Sequence, residues 1–414
     1  MKNYDVIIVG AGPVGLCLAR SLSMQGLSVI IVEKQSIEAI SQPAEDGRAI
    51  AITHLSKDIL CDLEIWHKIS KESVSEIREA RIFSGDLINY MSMSADIADS
   101  MAFIIPNQLI RKAVYEAVLG DKNITILNNV TVDKIDLSDE KASVYLADGS
   151  EISAKLLVAA DSRFSEIRKK AGITAQTKDF GKVMVVCQAG HDFHHEYIAN
   201  ECFLYERTLA VLPLVSNENN VNRSSVILTL KPDEAKRVTE LNAKEFNQFI
   251  SELFDYRLGA MRLENERHSY PLVAVYADRF VGNRLALVGD AAVGMHPVTA
   301  HGFNFGLKGV KALASLIKNA VQCGEDIGSG ELLTRYEKIH KRATKPLYLA
   351  TNGIVKLYTN DSKTAKVVRT ILLKTANQML PIKKMIMSKL VEKDTSNTDL
   401  PLPLRFGKKI LERF

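Results

Sequence analysis

Hydrophobic and polar positions along the first third of the chain alternate between the periods of strand and helix. In YDVIIVGAGPVGLCLARSLSMQGLSVIIVEK (residues 4–34) a continuous apolar run, a Gly-rich turn, a helical stripe and a second apolar run follow one another. That order predicts strand, helix and strand, as in a buried parallel βαβ unit. EDGRAIAITHLSKDIL leads into a helix with Leu55, Ile59 and Leu63 on one face, and PNQLIRKAVYEAVL starts another after Pro106 with Leu109, Ala113 and Ala117 as its stripe. From Asn123 the pattern alternates around Asp148-Gly149, which predicts a β-meander and then a buried strand ending at Asp161.

From Gly181 to about Tyr270 the texture changes to short strands such as KVMVVCQA, LAVLPLV and SSVILTL, with one helix near AKEFNQFISELF. An antiparallel sheet is the simplest arrangement of these. RFVGNRLALVGDAA then returns to a buried strand ending at Gly289-Asp290, Pro297 sets a loop, and Gly302 and Gly306 open a helix through Leu307, Val310, Leu313 and Leu316. Near the end, Val368, Ile371 and Leu372, and after Pro381 Ile382, Ile386 and Leu390, fall at helical spacing with lysines between.

At 414 residues with 46% hydrophobic content, the chain exceeds what one core usually takes. The expected class is α/β (α+β): a dinucleotide-binding domain over 1–75, 104–180 and 271–330, interleaved with an antiparallel-sheet substrate domain over 76–103 and 181–270. A helical tail covers 331–414. The net charge of +4 places no strong demand on nucleic acid, but its distribution is uneven. Lys363 to Phe414 holds twelve basic and four acidic residues, a net +8, which leaves −4 for residues 1–362. Such a tail suits either an anionic membrane surface or two helices docked on the body with solvated lysines.

Five scattered cysteines fit neither a zinc site nor a disulfide framework, so a reducing, cytoplasmic setting is expected, or a peripheral one at the cytoplasmic face of the inner membrane. His191, His194 and His195 cluster without a Cys or paired carboxylate at ligand spacing, so a solvated loop rather than a metal is expected. No G-x-S-x-G nucleophile element occurs.

Gly10, Gly12 and Gly15 form G-x-G-x-x-G between the first strand and helix, with Pro13 and Val14 inside it, and Glu33-Lys34 follow the second strand. Gly10 permits the tight turn, Gly12 lets backbone N–H groups approach a pyrophosphate, and Gly15 lets helix and strand pack closely. Glu33 is placed to accept from ribose hydroxyls. This Rossmann-like fingerprint does not separate FAD from NAD. Arg48 reaches a phosphate or flavin, or pairs with Asp46; the local sequence leaves both open. Asp290 at a parallel-sheet edge suits the hydroxyls of a polyol, and the positive end of the helix from Gly302 suits a reduced, anionic ring.

The glycine fingerprint, DGRAIAI, VAADSRFSEIR and GDAAVGMHPVTAHGFNFGL stand in the order found in single-component FAD-dependent aromatic hydroxylases. DGRAIAI with HPVTAHGFNFGLKGV resembles the ubiquinone-biosynthesis hydroxylases among them, over about Met1 to Lys345, and within these the branch acting on 5-demethoxyubiquinol. The resemblance implies that Glu33 binds the adenosine ribose and that Arg48, Gln108 and Arg111 contact FAD. It further implies that Val132 lies near the adenine, that Asp290 with Gly289 holds the ribityl, and that Pro297, Gly302, Phe303 and Asn304 line the ring. Asp161 belongs to a segment linked to the nicotinamide encounter. Departures from the family pattern are Ser162 where Gly is usual, Val293 for a frequent His, Ala300-His301 for Gly-Gln and Gln108 for a frequent Arg. There is no second G-x-G-x-x-G for NADPH or NADH, the expected transient electron donor.

The function so implied is hydroxylation of a polyprenylated phenol or quinol by O2. Reduced FAD takes O2 to a C4a-hydroperoxide, which delivers oxygen to an electron-rich ring. No side chain need be a nucleophile; His301 beside the flavin is a candidate acceptor of a phenol proton, with Pro297 shaping the loop. The rival expectations are a hydroxylase of a small soluble phenol, a flavin-dependent reductase without oxygen chemistry, and a non-catalytic FAD-holding member of a biosynthetic complex.

Overall fold

The computed structural model describes residues 4–94, 100–204, 207–296 and 302–358. The chain opens with β1 (Tyr4–Val9), α1 (Pro13–Ser23) and β2 (Val29–Val32), the unit its apolar pattern predicts. A short helix α2 (Ile37–Ser41) leads to β3 (Ala49–Ile52) and α3 (His54–Asp62), which Thr53 caps by accepting from the Ser56 amide. Next come β4 (Ser75–Ile77), β5 (Glu79–Ser84), β6 (Asp86–Ser94) and β7 (Ala102–Pro106), then α4 (Asn107–Val118). Of the predicted meander, β8 (Ile124–Leu127) instead pairs parallel with β2, while β9 (Val132–Leu137), β10 (Ala142–Leu146) and the buried β11 (Glu151–Ala159) run antiparallel, followed by α5 (Glu166–Lys170).

The middle region supplies β12 (Ala175–His191), β13 (Ile198–Leu204), β14 (Arg207–Leu214) and β15 (Asn222–Leu230). Two helices follow, α6 (Pro232–Glu240) and α7 (Ala243–Leu253); the sequence pattern indicated only the second, which Asn242 and Glu245 start as a reciprocal capping box. Then come β16 (Met261–Leu263), β17 (His268–Ala277), β18 (Val281–Gly282), β19 (Leu285–Leu287) and β20 (Val293–Gly294), and two long helices, α8 (Gly302–Cys323) and α9 (Gly330–Tyr358). The tail patterns around Val368 and Ile382 lie outside the described residues. Among those residues no helix is long and apolar enough to cross a membrane.

Two large sheets result. The first has the order β18-β19-β11-β1-β2-β8, parallel from β19 through β8, with β10 and β9 attached at β11. Its central strands are apolar on both faces, with α1 packed against β1, β2 and β8 and α8 packed on α1, and Val144 and Leu146 of β10 share their core; Val6, Ile7, Ile8, Ile31 and Val158 are fully buried. The second sheet has the order β20-β17-β12-β15-β14-β13-β5-β6. It is antiparallel as expected, apart from the parallel pair β5 and β13. Its ladder of β12 with β17 runs from the Ala175–Ala277 pair to the Val186–His268 pair, with a register shift between Asp179 and Val183.

The second sheet has unlike faces. On the outer one Val185, Cys187, Phe83, Leu209 and Val226 pack with Phe246 and Ile250 of α7 in one core cluster. The inner one looks toward a third, small sheet of order β3-β7-β4, where Met91, Met93, Ala199 and Leu212 pack with Ile104, Ala49 and Ala51.

The histidine cluster corrects an expectation. His191 and His195 are buried, not solvated, because β14 and β15 close over the turn: His195 Nε2 bonds the Leu214 carbonyl at 2.8 Å and His191 Nε2 the Ser224 hydroxyl at 2.9 Å. Only His194 is largely accessible, and no metal-holding group of His, Cys, Asp or Glu occurs among the described residues.

Candidate active site

The chain leaves β1 toward β2 on one side and returns much later as β11 on the other, so the strand order reverses beside β1. Ligand crevices in open parallel sheets lie at such a point, outside the carboxyl ends of the strands. Gly10 turns the chain there with φ +112°, and a Cβ on it would lie 2.4 Å from the Ala160 carbonyl oxygen. At Gly15 a Cβ would lie 2.1 Å from the Gly10 oxygen, so helix and turn touch backbone to backbone. Gly12 is different: nothing lies within 4 Å of where its Cβ would be. It precedes Pro13 at the start of α1 and provides no side-chain cap, which leaves the first N–H groups of the helix for an anion. Val14, in the next position, packs against both Gly289 and Gly306 and so joins α1 to the chain after β19 and to α8.

Glu33 is almost fully buried and bridges the turn to the end of β2: it accepts from the Ala11 amide at 2.6 Å and from the Gln35 amide at 2.8 Å. Lys34 beside it is exposed. Val132 opens β9 opposite Leu146; the backbone that runs alongside Glu33 is two residues earlier, where the Val130 amide donates to the Glu33 carbonyl.

Arg48 makes the pairing that the sequence left open. Its Nη2 and Nε contact Asp46 Oδ2 at 2.6 and 3.1 Å, and its guanidinium lies 5.2 Å from the Tyr270 ring centre. Asp46 also accepts from Asn107 at 2.7 Å, and its carbonyl accepts from the Tyr270 hydroxyl at 2.9 Å. Burial opposes ionisation of Asp46, but Arg48 and Asn107 outweigh it and hold the carboxyl below its usual range. Gln108 and Arg111 occupy the first turns of α4 as expected. Arg111 donates to the Ala39 carbonyl at 3.4 Å, while Gln108 Oε1 is buried with no hydrogen-bond partner.

Across the crevice, Asp290 pairs with Arg163 at 3.1 Å, and Arg163 also donates to the Val273 carbonyl at 2.9 Å. Asp161 accepts from the Glu166 amide at 2.8 Å through Oδ2, leaving Oδ1 buried without a partner. The buried Arg168 donates to the Ala291 carbonyl at 2.8 Å and so fixes the chain just after Asp290. Asn304 in the first turn of α8 is 1% exposed; it donates to the Ala51 carbonyl at 2.8 Å and accepts from the Thr53 amide at 3.1 Å. Gly302 faces open space and Phe303 packs against the main core. Pro297 and His301 lie outside the described residues.

The structure therefore brings the glycine turn, Glu33, Asp161, Asp290 and Asn304 to one end of the first sheet. Sequence reasoning missed Arg163, Arg168, Asn107 and Tyr270. Arg163 and Arg168 were visible within VAADSRFSEIR, but nothing local pointed them at Asp290 and Ala291.

The class this defines is a dinucleotide-binding α/β protein with a second sheet over the crevice. A family model described as "FAD binding domain" matches residues 3–348. The chain is 40% identical over 394 residues, 94% of it and 84% of the relative, to Ubiquinone hydroxylase UbiM of Neisseria meningitidis. With Ubiquinone hydroxylase UbiL of Rhodospirillum rubrum the identity is 32% over 387 residues, 93% of this chain and 89% of that one. The solved structure of p-nitrophenol 4-monooxygenase PnpA from Pseudomonas putida DLL-E4 superposes with a TM-score of 0.74 at 19% identity, covering 94% of this chain and 99% of that one, a likeness of fold. The chain belongs to the FAD-dependent hydroxylases of ubiquinone biosynthesis, aromatic-ring monooxygenases with FAD as cofactor and NAD(P)H as the typical electron donor. The residues present fit FAD: Gly12 leaves the helix start open, and Gln108 Oε1 and Asp161 Oδ1 are buried acceptors without partners.

Proposed function

We propose that this enzyme hydroxylates the aromatic ring of a polyprenylated phenol or quinol on the way to ubiquinone, with 5-demethoxyubiquinol as its substrate. The observation that carries the reading is the inner face of the second sheet. Met184, Ile227, Ala210, Leu212, Ile82 and Met91 make it broadly apolar where it looks toward the small sheet pinned by Asn304, a surface suited to a prenylated ring. The kinship with two ubiquinone hydroxylases supports the pathway.

When bound, FAD takes electrons from NAD(P)H and activates O2 for transfer of one oxygen atom to the ring. The chain binds and orients. In this reading the α1 start at Gly12, Pro13 and Val14 faces the pyrophosphate, Glu33 takes the adenosine ribose, and the backbone leading into Val132 flanks the adenine. Arg48, Gln108 and Arg111 hold the cofactor from the α4 side, and Gly289 and Asp290 hold its ribityl. Pro297, Gly302, Phe303 and Asn304 flank the ring, and His301 accepts a phenol proton. The basic stretch after Asn360 meets an anionic membrane surface, where a polyprenyl substrate resides.

The test is product analysis by mass spectrometry with NAD(P)H, O2 and a short-chain demethoxyubiquinol, alongside small soluble phenols. The reading expects one added oxygen on the quinol in preference to the phenols. Hydroxylation of the phenols alone would replace the substrate, and a product with a saturated prenyl double bond and no added oxygen would replace the reaction.

A further inference from the structure

Glu201 sits in the middle of β13, where its ladder partners are Ala210 on β14 and Ile82 on β5. Residues paired across a ladder share a face, and so do residues two apart on one strand. Glu201 therefore stands on the inner face, between Ala199 and Phe203 along its strand and between Ala210 and Ile82 across it. Ile82 in turn pairs with Met91. A carboxyl in that row is out of place chemically, since every one of these neighbours is apolar.

It is not rescued by a structural partner. Burial raises its pKa to about 8, and no hydrogen bond or charge among the described residues opposes that shift. An unpaired carboxyl in such surroundings costs free energy, and proteins retain such groups where a ligand completes them. Glu201 lies deep in the protein, yet part of its surface remains accessible. This face adjoins the candidate active site: Ala199, two positions away on it, packs in one cluster with Ala51, whose carbonyl accepts from Asn304 at the start of α8.

We propose that Glu201 is the substrate-reading residue of this site, and that its carboxyl hydrogen bonds a ring hydroxyl of the aromatic substrate and fixes which ring edge meets the flavin. The inference deepens the hydroxylase reading and rests on it. A buried polar group that is satisfied only by a ligand hydroxyl discriminates strongly against ligands lacking it. The surrounding apolar row would otherwise hold the ring in several rotations about its long axis.

The experiment uses the FAD-loaded full chain and reads ligand binding from the change in flavin absorption, with product formation beside it. The ligands are a short-chain demethoxyubiquinol, its ring dimethyl ether and a set of simple phenols. Glu201→Leu is expected to keep its flavin content and to bind the free quinol about 10- to 100-fold more weakly, while binding of the dimethyl ether changes less than about 3-fold. Glu201→Gln, which keeps a hydrogen-bonding group, is expected to restore most of the loss. Equal effects on quinol and ether, or no effect on either, would overturn the assignment. If the wild-type enzyme takes only simple phenols, the quinone reading fails while Glu201 dependence of phenol binding still supports the inference. If it binds no hydroxylated ring, both fail.

Discussion

Val14 in the first turn of α1 lies so close to Gly306 of α8 that a Cβ on Gly306 would stand 2.4 Å from Val14 Cγ2. Two helices that start at the cofactor crevice are thus locked at their heads, and a β-branched valine cannot swing aside cheaply. Gly306→Ala should lower stability by about 1–3 kcal/mol and reduce FAD retention on purification. Adding Val14→Ala should recover much of both. Thermal unfolding and flavin content of the two variants check this; a single variant as stable and as yellow as the parent would show that the contact relaxes freely.

Asp290 faces the crevice while paired to Arg163. Asp290→Ala removes the proposed ribityl acceptor and should weaken FAD binding by about 10- to 100-fold, the range for a charge-assisted hydrogen bond. Titration of the apoprotein with FAD, followed by quenching of flavin fluorescence, gives the ratio. Full affinity in the variant would move the ribityl contact elsewhere.

Asn304 ties α8 to β3 through the Ala51 carbonyl and the Thr53 amide. In Asn304→Leu both backbone groups lose their partner in a buried setting, at about 1–3 kcal/mol for each group left unsatisfied. Denaturant unfolding should show a lower midpoint with an unchanged slope. A midpoint within error of the parent would mean that other groups satisfy this backbone.

Burial lowers the pKa of His195, His296 and His340 to about 4 each. An unfolded histidine titrates near about 6.5, so between these values the unfolded chain binds more protons than the folded one. Stability is then complete above about pH 6.5 and falls as the pH drops toward 4. His340 stacks on Tyr336 and carries a partnerless Nδ1, so His340→Phe keeps the stacking and should flatten the pH dependence between 6.5 and 4.5. Unfolding free energies at three pH values measure the slope; an unchanged slope would remove His340 from the account.

The parts of the site legible in the sequence are those whose requirement is local. Gly10, Gly12 and Gly15 answer to the geometry of one turn, and Glu33 follows from the strand that carries it. Asp148-Gly149 declares its hairpin, and Gly149 has φ +84°. Contacts that join distant segments were not legible. Asn304 and Ala51 are 253 residues apart and Arg163 and Asp290 are 127 apart, so no window of sequence contains either pair. Solvation misled where a strand is covered from far away. His191 and His195 read as a loop until β14 and β15 close over them.

The most direct test of the whole account follows the oxygen. Enzyme reduced with NAD(P)H is mixed with ¹⁸O2 and a short-chain demethoxyubiquinol, and the product is weighed. Incorporation of one ¹⁸O atom into the ring, lost together with FAD when the cofactor is removed and regained when it is added back, is the predicted result. Flavin that reoxidises with no labelled quinol, under conditions where the quinol binds, would contradict it.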